Sequence, residues 1–176
     1  MNKLIVTLFL LVLSTTSFAK EKGQVTGLPT PRFVAVKSNE INLRKGPNVS
    51  YPIRWVYKRK EHPMEVIAEF DNWRKLRDFD GADGWVHETL ISGKRTVVII
   101  NNDYFGNKPK YAKRNKELIL FRHPDEKSHP MLRIEFGAIG KIKQCSKEWC
   151  KLQFAKDSGW ARKKNLWGIY REEIIG

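Results

Sequence analysis

The chain has 176 residues and carries 33 Lys and Arg against 19 Asp and Glu, a formal net charge of +14. That length holds one medium domain or two small ones, and the assignments below leave no stretch of about 100 residues to house a separate catalytic domain. The charge draws the chain toward polyanions through ordinary Coulomb attraction.

Lys3 precedes an apolar run over 4–13, and Ser17-Phe18-Ala19 then offers small residues at both positions a signal peptidase reads. Residues 1–19 are therefore predicted to be a secretory signal peptide, since the run falls short of the ~20 apolar residues a spanning helix needs. Cleavage after Ala19 would remove Lys3 and take the charge from +14 to +13. An exported chain, periplasmic or secreted, with that charge meets wall polymers, lipopolysaccharide or anionic lipid; nucleic acid is not expected. The same Lys and Arg side chains would also solvate a small β-rich surface and keep strand edges from pairing.

Residues 20–32, KEKGQVTGLPTPR, contain Gly, Pro and charge without periodicity and are expected to be a flexible or extended lead-in. Short strands follow at 33–36 and 41–43, a turn at 44–48, and a strand over 52–57 that carries Trp55 and Tyr57 on one face. From 64 to 69, Met64, Val66 and Ala68 alternate with Glu65, Ile67 and Glu69. That is the period of a strand with two different faces. Phe70-Asp71-Asn72 turns the chain, and Trp73-Arg74-Lys75-Leu76-Arg77 returns with the same alternation, so the two runs form a hairpin. A Gly/Asp loop over 80–84 leads to a short third strand at 85–87, and 88–91 suffices for one helical turn.

The segments INLRKGPNVSYP, DNWRKL and DGWVHETL, in that order and spacing, resemble a bacterial SH3-like domain. The stretch 32–95 is similar to the first module of exported bacterial SH3-like proteins, which share an ending similar to Leu166-Trp167-Gly168-Ile169-Tyr170. The resemblance implies an all-β fold of small barrels with about five short strands each. It also implies a non-enzymatic binding role, with cell-wall peptidoglycan or an envelope protein as partner. A structural or assembly factor that binds a protein partner or an anionic membrane surface is the alternative.

Thr96 to Ile100 is a β-branched, apolar run expected to close the first module or to start the bridge onward, and 101–115, polar with Gly and Pro, is expected to be the linker. Beyond it the pattern repeats. Placing Trp73 on Trp149 puts Leu76 on Leu152, Gly84-Trp85 on Gly159-Trp160 with one loop residue dropped, and Leu43 with Pro47 on Leu120 with Pro124. The chain thus reads as an internal duplication: SH3-like domain 1 over 33–100 and SH3-like domain 2 over 116–176. At about 60 residues each copy has a marginal core and gains from extra ties.

Cys145 and Cys150, an even pair with four residues between them in an exported chain, point to a disulfide. They align with Glu69 and Arg74, so one copy has thiols where the other has opposite charges across the same turn. The disulfide should contribute about 2 kcal/mol by chain entropy and the ion pair, taken as exposed, well under ~1 kcal/mol.

The residues give no catalytic site and no cofactor. His62, His87, His123 and His129 show no metal-ligand spacing. Asp78, Asp80 and Asp83 invite a calcium reading, but Thr89 stands where an EF-hand loop starting at Asp78 needs Glu. The ligand-binding candidates are Trp73 and Trp149, at the place of the Trp that floors the SH3 peptide groove, with Tyr57, His87 and Arg162. His87 and Leu90 replace the Pro and Tyr of the eukaryotic groove, which argues against polyproline ligands. Trp85 and Trp160 are expected to be mostly core.

Overall fold

The computed structural model describes residues 21–100 and 117–176. The predicted signal peptide (1–19) and linker (101–115) lie outside the described residues. The regular elements among them are strands and single-turn 3-10 helices. A short hairpin, β1 (Glu21–Lys22) with β2 (Pro29–Thr30), comes first. The first sheet contains β3 (Arg32–Val36), β4 (Ile41–Arg44), β5 (Ile53–Tyr57), β6 (Pro63–Phe70), β7 (Trp73–Arg77), β8 (Asp83–His87) and β9 (Ile91–Ser92). The second contains β10 (Thr96–Ile99), β11 (Glu117–Phe121), β12 (Pro130–Glu135), β13 (Ile139–Cys145), β14 (Trp149–Phe154), β15 (Asp157–Arg162) and β16 (Leu166–Trp167).

Both are antiparallel, in the order β5-β4-β8-β7-β6-β3-β9 and β12-β11-β15-β14-β13-β10-β16. Each strand of one sheet has its counterpart at the same place in the other, so the expected pair of all-β, SH3-like modules is present. Each has seven strands rather than about five, because the opening strand and a two-residue closing strand also join the sheet. The repeated Gly-Trp has a steric reason: a Cβ on Gly84 would lie 2.7 Å from that of Leu43, and one on Gly159 would lie 2.7 Å from that of Leu120. The core of the first sheet gathers Val36, Ile41, Leu43, Met64, Val66, Leu76 and Val86; the second gathers Val97, Ile99, Leu120, Leu152, Ala161 and both cysteines.

Three expectations are corrected. Thr96–Ile99 does not close the first module: it pairs with β13 and β16 and opens the second sheet, so the division at 100 and 116 cuts through a strand set. An apolar run names no partner, and the neighbour is settled by tertiary packing. The 20–32 segment is not a flexible lead-in over its described part. Its turn is held by Glu69, whose carboxylate accepts from the amides of Val25 (3.1 Å) and Thr26 (2.9 Å) and the Thr26 hydroxyl (2.7 Å) and pairs with Arg32 at 2.7 Å. The Glu69–Arg74 pair is also not exposed. The two face each other across the hairpin as aligned, but both are buried, and the guanidinium also reaches Glu88 and the carbonyls of Asp71 (2.6 Å) and Trp73 (2.9 Å).

In the second module the equivalent positions carry the Cys145–Cys150 disulfide, and the backbone of Cys145 exchanges hydrogen bonds with Ile175 of the tail. The same hairpin is thus covered in both copies, once by the chain before β3 and once by the chain after β16.

Burial pushes the Glu69 carboxyl up, but the Thr26 hydroxyl and amide, Arg32 and the Val25 amide outweigh it and hold it at about 2. A folded value below the ordinary 4.5 gives stability that is fully present above about pH 4.5 and is lost as pH falls through about 2. Glu69→Gln should flatten the acid limb of a denaturation profile followed by circular dichroism; an unchanged profile would show that this carboxylate does not anchor the hairpin.

The modules pack against each other. Phe33 in β3 meets the Trp167 ring edge-on at 5.1 Å and the Tyr170 ring at 4.7 Å, and the Tyr170 hydroxyl donates to Glu65 at 2.9 Å. Glu65 is buried and also accepts from Arg77 at 2.6 Å. Arg59 donates to the carbonyl of Gly137 at 2.7 Å, and the Thr96 hydroxyl donates to that of Glu61 at 2.8 Å. Gly168, at φ +118°, lets the chain pass where a Cβ would fall 2.3 Å from the Thr96 carbonyl oxygen and 3.1 Å from Pro63. The ending Leu166-Trp167-Gly168-Ile169-Tyr170 is therefore the segment that docks module on module.

Candidate functional site

The aligned tryptophans open the second strand of equivalent hairpins. Trp73 pairs in register with His87, and Trp149 with Arg162. Each side chain therefore has its candidate companion directly across the ladder, close enough for side chains to meet. Trp73 is half-buried, and the His87 ring meets it edge-on at 5.6 Å. Nδ1 of His87 lies 2.9 Å from the Thr89 hydroxyl, so this histidine also caps the 3-10 turn Glu88–Leu90.

Trp149 is more buried, at 7% exposure, yet it floors an open cavity of about 300 Å³ lined by Leu118, Ile119, Phe121, Asn165, Arg162 and the carboxylates Glu117 and Glu126. The Phe121 ring stands edge-on to Trp149 at 6.2 Å, and the Arg162 guanidinium lies over its face, 4.8 Å from the centroid. A cation over an indole is attracted by the ring's negative face. Two carboxylates hold it there: Nε donates to Glu126 at 2.6 Å and a terminal nitrogen to Glu148 at 2.8 Å. Glu126, with Glu148 behind it, pushes the guanidinium above its ordinary range.

Tyr57 is not brought to either tryptophan. Its ring lies tilted against that of His62 at 5.7 Å, on the side of Asp78, beyond the far end of β7 from Trp73. By strand rise, that is about 17 Å along the chain. Burial and then Asp78 push the Tyr57 hydroxyl well above its ordinary range. Trp85 and Trp160 are half-buried rather than core, because in β8 and β15 the inward positions fall to Gly84 and Val86 and to Gly159 and Ala161. The three loop aspartates serve the turn and its flanks: Asp78 accepts from the Phe79 amide and bonds the buried His62, Asp80 accepts from the Ala82 amide, and Asp83 pairs with Arg54 and Lys75.

The carboxylates Glu117, Glu126 and Glu148 and the ring of Phe121 escaped sequence reasoning. The duplication could have found three of them, because the alignment that puts Leu120 on Leu43 sets Phe121 against Arg44 and Glu126 against Val49, and the one that puts Trp149 on Trp73 sets Glu148 against Asn72, while Glu117 falls on Glu40. Three substitutions around one tryptophan mark where the copies diverge. A second missed feature lies on the first module, where Val49, Tyr51, Ile53, Trp55 and Val56 are exposed on and beside the edge strand β5.

Over 91% of its length the chain is 21% identical to a protein of Bacillus subtilis (strain 168) named "Putative N-acetylmuramoyl-L-alanine amidase YrvJ", and it spans 30% of that protein. Among solved structures it is similar to NlpC2 from Trichomonas vaginalis, at 8% identity and a TM-score of 0.33 over 78% of this chain and 48% of that one. It is also similar to an NlpC/P60 family protein from Bacillus cereus ATCC 10987, at 11% identity and a TM-score of 0.32 over 76% and 55%. The chain covers about half of each solved structure, and superpositions at these scores carry no argument. The bacterial SH3 domain model matches residues 37–93 and again 114–168, more than half of the sequence and one match in each module, and the chain belongs to the bacterial SH3 domain family.

Proposed function

We propose that this chain is a non-enzymatic, exported binding module that contacts cell-wall peptidoglycan through the aromatic sites of its two SH3-like modules. The observation that carries the reading is the open cavity lined by Trp149, Phe121 and Arg162. The name of the relative from Bacillus subtilis, that of an N-acetylmuramoyl-L-alanine amidase, supports it, and the chain matches 30% of that protein's length. The thiols are joined in a disulfide, and His87 caps a turn. Because the modules are docked rather than strung on a free tether, two weak sites are held at a fixed separation, which favours simultaneous engagement of one polymer.

Sedimentation with purified sacculi tests this. The mature chain should pellet, less so at high salt because part of the attraction is its net positive charge. A Trp73→Ala, Trp149→Ala double variant should lose most of the pelleting, with Phe121→Ser as the companion change should loss of Trp149 unfold the second module. Folded variants that pellet like the parent would contradict the role of these sites.

A second reading, an assembly factor docking on a protein partner, is favoured by the apolar strip at the β5 edge. No sedimentation of the parent chain would support it over the first.

A further inference from the structure

We infer that the Trp149 cavity is a site for a cationic group, the free ammonium of a wall peptide, and that Arg162 is the protein's own occupant of that site rather than a hook for anions. The inference rests on the wall-binding reading and names the ligand chemistry within it.

The net charge of +14 suggests at first that any binding surface on this chain seeks anions. The cavity does not follow the average. Two carboxylates, Glu117 and Glu126, line it against one guanidinium, and Glu148 stands behind that guanidinium as a third carboxylate. Among the residues that line the cavity, carboxylates outnumber the cation two to one, although Lys127 and Lys164 adjoin it in sequence. Arg162 is held by both Glu126 and Glu148 while its charged end lies on the Trp149 face. An anion approaching it would have to compete with two carboxylates already in place. An ammonium group would find what Arg162 finds, an indole face and carboxylate oxygens.

The first module is an internal comparison. It keeps the tryptophan and the ladder partner but has Val49 and Asn72 where the second has Glu126 and Glu148, and a His edge-on to the ring where the second has a guanidinium over the face. Glu126, Glu148 and the resident cation go together, whereas Glu117 has a counterpart in Glu40, so the two sites are not equivalent. Peptidoglycan offers a matching group, because its stem peptides contain a diamino acid whose side-chain amine is free wherever it is not cross-linked.

The test uses the mature chain and two N-acetylated Ala-Glu-Lys peptides, one with a free and one with an acetylated lysine amine, titrated against intrinsic tryptophan fluorescence. The free amine should bind at least tenfold more tightly. Glu126→Gln, an exposed change that leaves the fold intact, should weaken free-amine binding several-fold, and Arg162→Gln should strengthen it. Equal affinity for the two peptides, or loss of binding in Arg162→Gln, overturns the assignment. Parallel sacculus sedimentation separates the two claims. If the chain pellets but neither peptide binds, the cation site is overturned and the wall reading stands. If the free-amine peptide binds in a Glu126-dependent way and the chain does not pellet, the site stands and the wall reading falls.

Discussion

Phe33→Ala should destabilise the protein by roughly 3–5 kcal/mol and split a single unfolding transition into two. The magnitude is that of removing a buried aromatic ring and leaving a cavity that the surroundings only partly fill. The splitting follows from where the ring sits. Phe33 belongs to the first sheet, but of its ring partners Trp167 lies in the last strand of the second and Tyr170 just after it, so its removal loosens the junction while leaving both cores intact. Tyr170→Phe, which deletes the hydrogen bond to Glu65 and keeps the ring, should cost about 1 kcal/mol and preserve one transition. Differential scanning calorimetry reads both. A Phe33→Ala protein that still melts in one transition would mean that other contacts, such as Arg59 to Gly137 and Thr96 to Glu61, suffice to couple the modules.

Arg74→Met should cost about 3 kcal/mol, several times the value expected for a surface ion pair. The guanidinium is buried, and its removal leaves the carbonyls of Asp71 and Trp73 with lost donors and takes a cation from between Glu69 and Glu88. Glu88→Gln should cost under ~1 kcal/mol, because that carboxylate is 43% exposed and water can replace the bond. At the same place in the second module, reduction of Cys145–Cys150 should cost about 2 kcal/mol through the released chain. Urea titrations of the three proteins, with and without reductant, check the order. An Arg74→Met variant no weaker than Glu88→Gln would show that the buried arginine is not what fastens the first hairpin.

The two fasteners show what sequence reasoning reaches. Setting Trp73 on Trp149 placed the thiols opposite Glu69 and Arg74, and the ladder registers agree residue for residue, because strand alternation and turn residues are local properties that survive in the text of the chain. The environment of the pair was not legible. Arg74 and Glu69 read as an exposed couple because nothing near them in sequence tells that Val25, Thr26 and Arg32 close over Glu69 from more than thirty residues away. Thr96–Ile99 failed for the same reason: a short apolar strand fits the edge of either sheet, and its place beside β13 and β16 is decided by packing.

The candidate site divides along the same line. Trp149 and Arg162 were legible as strand residues at a repeated spacing, and the structure sets them face to face. Glu126 and Glu148 lie outside the regular strands, where no period marks them, and their meaning comes from meeting at one guanidinium. Tyr57 shows the reverse error, since an aromatic on the right strand was drawn to a buried His–Asp pair rather than to the groove.

The central claim, that ligand enters at the aromatic sites of the paired modules, is tested most directly by the indole N–H resonances of the six tryptophans during titration with solubilised muropeptides. The Trp149 signal should shift saturably, with Trp73 following at higher concentration, while Trp85 and Trp160 stay in place. Muropeptide at saturating concentration that leaves Trp149 unmoved, or that shifts all six signals alike, would contradict it.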